Sequence, residues 1–301
     1  MKTIIIFLCF ISMTNTKAAP IATLPEITNT FHNIRDFTIY ENEAYFSAQS
    51  TLGDLSVIVK IKRINNQWNN PIIASFSGTH HDIEPFISSN GLKLYFASKR
   101  PKENNPKSTD YDIWYVYRDS VKSKWSKAIN MGDVINTDKN EFYPSLSDSG
   151  NLYFTANYED SKGKDDIYIS EYKNGKHAKP FSLSNAINST GDEYNAFIAP
   201  DESYIIFGAY KREDGFGSGD LYISYKQSDK QWTQAKNMGA DINSKQMDYC
   251  PFVYLQTLYF TSKRSQFNKT QFYSTEELIS ILNSSENGMS RIYQIDLKKP
   301  K

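Results

Sequence analysis

Glu141-Phe142-Tyr143-Pro144, followed by Leu152-Tyr153-Phe154 and then Asp166-Ile167-Tyr168-Ile169, is the stretch that decides how this chain folds. It is an acidic start, an aromatic strand and a second strand opened by an acid. The same order recurs from Asp82-Ile83-Glu84-Pro85 through Leu94-Tyr95-Phe96 to Asp112-Ile113-Trp114-Tyr115. It recurs from Glu193-Tyr194-Asn195-Ala196 through Ile205-Ile206-Phe207 to Asp220-Leu221-Tyr222-Ile223. A further copy runs from Asp248-Tyr249-Cys250-Pro251 through Leu258-Tyr259-Phe260 to Arg291-Ile292-Tyr293. A blurred first copy holds Ala44-Tyr45-Phe46 and Asp54-Leu55-Ser56-Val57. The acidic starts are 59, 52 and 55 residues apart. A period near fifty built only of strand-like pieces is what a β-propeller blade looks like in sequence.

In the second copy, Glu84 to Ser88 reads as a strand and Ser89-Asn90-Gly91 as a turn. Lys93 to Ser98 reads as a second strand, Asp112 to Arg118 as a third, and Trp125-Ser126-Lys127-Ala128 as a short fourth. The fold class that follows is all-β: one five-bladed propeller of four-stranded antiparallel blades. The blades span about residues 32–76, 82–132, 141–184, 193–239 and 248–298. The last unit lacks a fourth strand, which the segment from Pro20 to Phe31 can supply. Closing the ring in this way removes an exposed strand edge. A six-bladed alternative leaves too few residues for the sixth blade. Aromatic residues make up 14% of the chain, in keeping with pleated, half-buried surfaces.

Three blades end on a shared phrase whose last Asn precedes the next acid by five residues: Asn136 to Glu141, Asn188 to Glu193, Asn243 to Asp248. A fixed offset implies a fixed turn, which the Asn side chain ties by bonding nearby backbone. The second strand often ends in a basic pair, Lys99-Arg100, Lys211-Arg212 or Lys263-Arg264. An ion pair across the hairpin to Asp112 or Asp220 is expected. Asn157-Tyr158 breaks the pattern in blade three, and Arg291 breaks it in blade five.

Residues 1–18 read as a signal peptide, with Lys2, an apolar run from Ile4 to Met13 and Thr16-Lys17-Ala18 before a cut after Ala18. That run is too short to span a bilayer. Residues 19–301 are then the propeller domain, released into the periplasm or outside the cell, with no membrane insertion, and monomeric. The chain carries 34 basic and 34 acidic residues. Loss of Lys2 and Lys17 leaves 32 against 34, a net charge of −2, which offers nothing to nucleic acid. Cys250 would be the one remaining cysteine, so no internal disulfide is expected, and a buried, inert thiol is its default.

The run Trp125, Asn130-Met131-Gly132, Ile135-Asn136, Glu141, Tyr143-Pro144, Leu152-Tyr153-Phe154 and Asp166-Ile167-Tyr168 resembles the TolB-type, WD-like β-propeller repeat of bacterial envelope proteins. The resemblance covers about residues 32–298. It implies a propeller that binds other envelope proteins.

If the first strand of each blade lines the channel, Asp82, Glu141, Glu193 and Asp248 form a polar ring at one mouth. Such a ring raises pKa values or recruits a cation such as Ca²⁺, with His32 and His81 widening the ligand choice. The competing assignment makes these acids turn caps that serve the fold in every blade. Tyr143, Tyr194 and Tyr249, with Tyr111 and Trp114, stand near enough in the repeat to offer aromatic contacts. The ligand-binding set is therefore Asp82, Glu141, Glu193, Asp248, His81, Tyr143, Tyr194 and Tyr249.

Residues 266–288 form an insertion. Within it Ser274 and Glu277 make a capping-box pattern ahead of an apolar run. The expected function is that of a non-enzymatic binding scaffold of the envelope, with no cofactor apart from that cation, holding a protein, peptide or glycan at the channel mouth. The alternative is a glycoside-acting hydrolase that uses the ring carboxylates.

Overall fold

The computed structural model describes residues 19–24, 27, 30–65, 67–102 and 109–297. The leader expected over 1–18 lies outside them, as does part of the polar loop before Thr109. The first strand is β1 (Ile21–Ala22). Blade one is β2 (Ile34–Tyr40), β3 (Glu43–Gln49), β4 (Ser56–Ile64) and β5 (Gln67–Ile73). Blade two is β6 (Asp82–Ile87), β7 (Lys93–Ser98), β8 (Asp112–Tyr117) and β9 (Ile129–Asn130). Blade three is β10 (Glu141–Leu146), β11 (Leu152–Ala156), β12 (Asp166–Ser170) and β15 (Phe181–Ser182), with a side hairpin of β13 (Tyr172–Lys173) and β14 (Lys176–His177). Blade four is β16 (Asp192–Ile198), β17 (Tyr204–Tyr210), β18 (Asp220–Tyr225) and β19 (Lys236–Asn237). Blade five is β20 (Asp248–Tyr254), β21 (Thr257–Ser262) and β22 (Arg291–Asp296), and its fourth strand is β1.

The N-terminal segment thus closes the ring: Ile21 pairs with Gln294 and Ala22 with Tyr293. First strands touch first strands in a closed circuit, β2–β6–β10–β16–β20–β2, so they surround the axis. The fourth strand of blade two begins at Ile129 rather than at Trp125. Trp125 instead leaves the sheet and donates from Nε1 to Tyr45 Oη at 2.8 Å, tying blade two to blade one.

The repeated aromatics are the core. Phe46, Phe96, Phe154, Phe207 and Phe260 occupy one place in five second strands and are buried. Each contributes about 1.5–3 kcal/mol by leaving water. The junction Asn does what its offset predicts. Asn136 accepts from Ile113 N–H and donates to Ile113 C=O, both at 2.9 Å, and Asn188 and Asn243 repeat this with Ile167 and Leu221.

The four repeated acids do not form a ring around the channel mouth. Each is fully buried and held by its own junction. Arg100 reaches back to Asp82 at 2.7 Å, Arg212 to Glu193 at 2.9 Å and Arg264 to Asp248 at 3.5 Å. The arginines therefore pair with the first-strand acid, not with the aspartate that opens the third strand; in blade two Asp112 is taken by Lys102 at 2.8 Å. Each guanidinium also lies over two aromatic rings, Arg212 over Phe207 at 5.3 Å and Tyr222 at 4.6 Å. Each donates to a carbonyl of the preceding junction, namely Phe76, Ile187 or Ile242.

In blade three Tyr158 takes the arginine's place. Its Oη donates to Glu141 Oε1 at 2.9 Å and to Ile135 C=O at 3.0 Å, and its ring packs on Tyr168 with centroids 4.7 Å apart. Among the described residues Glu141 therefore has hydrogen bonds but no cation, and burial pushes its pKa from 4.5 up to about 7. A folded-state pKa raised above the unfolded one stabilises the protein fully below pH 4.5. That stabilisation is lost as pH rises through 7. By the free energy of each pKa unit the loss is on the order of 3 kcal/mol. Tyr158→Arg restores the motif, so urea unfolding at pH 5 and pH 8 should show a smaller drop in the variant than in the native protein. An identical drop would contradict the assignment.

The insertion carries one helix, α1 (Thr275–Leu282), opened by the capping box of Ser274 and Glu277. None of its residues is buried, and Leu278, Ile279 and Leu282 are exposed. Among the described residues no helix is long and apolar enough to cross a membrane.

Candidate active site

Every first strand is broken at the same place. The register to the second strand shifts between Arg35 and Thr38, Ile83 and Phe86, Phe142 and Ser145, Tyr194 and Phe197, and Tyr249 and Phe252. At each shift one non-glycine residue has a left-handed backbone: Asp36 (φ 62°), Glu84 (φ 60°), Tyr143 (φ 48°), Asn195 (φ 51°) and Cys250 (φ 53°). Such backbone costs about 1–3 kcal/mol per residue and concentrates at functional sites. A bulge also re-aims a side chain. Here five bulges carry side chains of four chemical kinds, two carboxylates, a phenol, an amide and a thiol.

Neighbouring blades hold the bulges in place. Ser47 Oγ accepts the N–H of Glu84 at 3.0 Å, Thr155 Oγ1 that of Asn195 at 3.0 Å, and Thr261 Oγ1 that of Asp36 at 3.2 Å. The matching residue between blades two and three is Ala97, which has no hydroxyl. There Glu84 Oε2 accepts the N–H of Tyr143 at 2.7 Å.

Asp36, Glu84, Asn195 and Cys250 form one side-chain network through Arg35, and Tyr143 joins it through its backbone N–H. Arg35 donates to Asp36 Oδ1 at 2.6 Å and to Glu84 Oε1 at 2.8 Å. Asn195 donates to Glu84 Oε1 at 3.3 Å, and Cys250 Sγ donates to Asp36 Oδ1 at 2.8 Å. Tyr143 Oη donates to Pro251 C=O at 2.9 Å. Burial and the Asp36 charge raise the Glu84 pKa against the opposing pull of Arg35, and it stands at about 7. Burial, with Asp36 beside it, pushes the Cys250 thiol up, which keeps it protonated.

Above this network opens a cavity of about 630 Å³. Arg35, Glu84 and Asn195 line it from the bulge ring, and Tyr111, Phe142, Tyr194, Tyr210 and Tyr249 give it aromatic walls. Asp165 and Asp192 stand half-exposed on the same wall, close enough that the Asp192 charge helps burial to raise the Asp165 pKa. Among the described residues the Asp192 carboxylate makes no hydrogen bond or ion pair. The Tyr194 hydroxyl is buried with no partner among them either.

Of the residues named from sequence, His81, Tyr111, Tyr194 and Tyr249 line the cavity. His81 is fixed there by Gly53 C=O at 2.8 Å and Tyr111 Oη at 2.7 Å. Tyr143 is buried across the axis. Asp82, Glu141, Glu193 and Asp248 are not part of the wall. Trp114 lies within blade two under Arg100. Among the described residues no three His, Cys, Asp or Glu gather in a way that could hold a metal ion. The carboxylates that do reach the site are Asp36, Glu84, Asp165 and Asp192, which the repeat did not single out. A signal for the bulge ring existed: Glu84, Tyr143, Asn195 and Cys250 occupy one repeat position with unlike chemistry, three of them directly before Pro.

No family model and no curated protein matches this chain. Among solved structures it is similar to a thermostable family-43 glycoside hydrolase, with a TM-score of 0.57 and 11% identity over 89% of this chain and 91% of that one. It is similar to the endo-arabinase of Bacteroides thetaiotaomicron, with a TM-score of 0.55 and 13% identity over 89% and 96%. At such identities the likeness shows the fold. TolB from Acinetobacter baumannii aligns at a TM-score of only 0.41, over 84% of this chain and 51% of that one, so the TolB-type resemblance reduces to a shared β-propeller. The non-enzymatic scaffold expected from sequence is not what these likenesses favour: the two structures named above that share this architecture over nearly their whole length are a glycoside hydrolase and an endo-arabinase.

Proposed function

We propose that the protein hydrolyses a glycosidic bond in the axial cavity, with Glu84 as the proton donor. The observation that carries this reading is a buried carboxyl at the floor of an aromatic-walled cavity, whose pKa burial raises to about 7 against the pull of Arg35. A general acid needs a pKa close to the working pH. Two carboxyl groups with unequal surroundings are the mark of an acid and base pair. Glu84 is buried beside a shared guanidinium, and Asp192 is half-exposed and unpartnered among the described residues.

The Glu84 proton passes to the glycosidic oxygen as the bond from that oxygen to the anomeric carbon breaks. A water oxygen bonds to the anomeric carbon and gives its proton to Asp192. Aromatic faces suit the apolar faces of sugar rings, and Arg35 and Asn195 suit sugar hydroxyls. Arabinan is the first substrate to try, because similar folds include an endo-arabinase. The test is reducing-sugar release from a panel of arabinan, xylan and chromogenic glycosides by the native protein. Turnover of at least one is expected, and a silent panel would count against the reading.

A further inference from the structure

We propose that the blade-five insertion is a second glycan-binding surface, an arm at the rim of the axial cavity that holds a polysaccharide beyond the unit being cut. The ligand class rests on the hydrolase reading; the placement and build of the arm do not.

The arm stands on the face where the cavity opens. In four blades the connection between the second and third strands gives the cavity a lining residue: Gly53, Tyr111, Asp165 and Ser218. The corresponding connection of blade five is 263–290, which holds the insertion. Both of its ends are bonded to the cavity wall. The N–H of Lys263 donates to Met247 C=O at 2.9 Å, and Ser290 Oγ and Tyr249 Oη share a hydrogen bond of 2.8 Å. Met247 and Tyr249 both line the cavity.

The arm is ordered by its own bonds rather than by burial. At its base Gln266 N–H donates to Glu286 C=O at 2.9 Å, and Gly288 N–H to Arg264 C=O at 3.0 Å. At its tip Tyr273 Oη accepts the Asn268 N–H at 2.6 Å, and Asn268 Oδ1 accepts the Thr270 N–H at 3.1 Å. The rings of Phe267 and Tyr273 stack with centroids 5.3 Å apart, and the capping box of α1 fixes the returning leg. Nothing in that turn requires further apolar side chains, yet Phe272 is fully exposed and Phe267 is 47% exposed. Rings already fixed in place lose little freedom when a ligand covers them. Around them stand Gln266, Thr270 and Gln271, so aromatic faces alternate with amide and hydroxyl groups, a pairing that suits sugar rings and their hydroxyls. Across 265–290 the only charged residues are Lys269, Glu276, Glu277 and Glu286. That balance is wrong for an anionic membrane or a nucleic acid and suits an uncharged polymer.

The test is electrophoresis through native gels containing arabinan, xylan or galactan. At least one polymer should retard the native protein. F267A/F272A should bind that polymer about tenfold more weakly, the scale of losing an aromatic anchor. Its urea unfolding midpoint and its kcat/KM on a single-sugar chromogenic glycoside should stay native. F272A alone should act in the same direction, since removing a fully exposed ring disturbs no packing. Retardation that the variants lose, with no turnover of any substrate, would uphold the arm and remove the hydrolase reading. Turnover with equal retardation of native and variant proteins would overturn the arm and leave that reading intact. No retardation by any polymer would also overturn the arm. A second copy or a membrane as the occupant would show as a dimer in gel filtration, or as co-sedimentation with phosphatidylcholine vesicles, lost in the variants, and either result would overturn the proposal.

Discussion

Glu84→Gln should lower kcat on the substrate found in the glycan panel by about 10²–10⁴-fold, the usual contribution of a general acid, and should also lower folding stability. Oε2 accepts the Tyr143 N–H at 2.7 Å and so substitutes for a hydroxyl that Ala97 cannot provide. A glutamine oxygen that keeps this bond turns its NH2 toward Arg35 and Asn195, which donate to Oε1 at 2.8 Å and 3.3 Å in the native protein, so those two bonds are lost. Arg35 retains Asp36 at 2.6 Å, so the guanidinium is not left alone in the interior. For the chemistry, what glutamine lacks is the transferable proton. In the native protein activity should fall as pH rises through about 7, because burial sets the Glu84 pKa there and the ionised form has nothing to give. That alkaline limb should be missing from the residual activity of the variant. An unchanged kcat, or an unchanged limb, would assign proton transfer to another group.

Arg212→Met should lower the unfolding free energy by about 3–5 kcal/mol, the cost of leaving one member of a buried ion pair without its partner. Glu193 is fully buried and accepts from Arg212 Nε at 3.2 Å and Nη2 at 2.9 Å. Its other donors, Ser189 N–H and Oγ, remain, but no cation does. Methionine keeps much of the contact with Phe207 and Tyr222, so the loss reports the charge. Replacing Glu193 by Gln as well should recover part of the stability, because the stranded charge goes with it. Urea unfolding of the two variants measures both effects. A single-variant loss under 1 kcal/mol would class the pair with exposed surface bridges.

The propeller is legible in the sequence because its determinants are repeated. Strands such as Leu152-Tyr153-Phe154 alternate between two faces, and each copy must bury the same ring against the same neighbour. The junction asparagines are legible for the same reason. The acids Asp82, Glu141, Glu193 and Asp248 are just as visible, but their repetition reflects a clamp that every blade needs. The site differs in kind. It is built at a bulge, where one extra residue shifts the register, and a period-two reading does not show which side chain a bulge turns inward. Asp36, Glu84, Tyr143, Asn195 and Cys250 share a backbone conformation, while their side chains range from carboxylate to phenol, amide and thiol. A fixed position with varying chemistry, flanked by repeated residues, is where a ring of similar blades becomes an asymmetric site. Asp192 was hidden by its neighbour: the repeated Glu193 turns into the junction and leaves the preceding side chain at the mouth.

A crystal structure of the E84Q variant with an arabino-oligosaccharide is the most direct measurement. A sugar is expected in the axial cavity, with its glycosidic oxygen within about 3 Å of the side chain at position 84, as a general acid requires. A sugar bound on the opposite face, or lying across the rim with the bulge ring untouched, would contradict it.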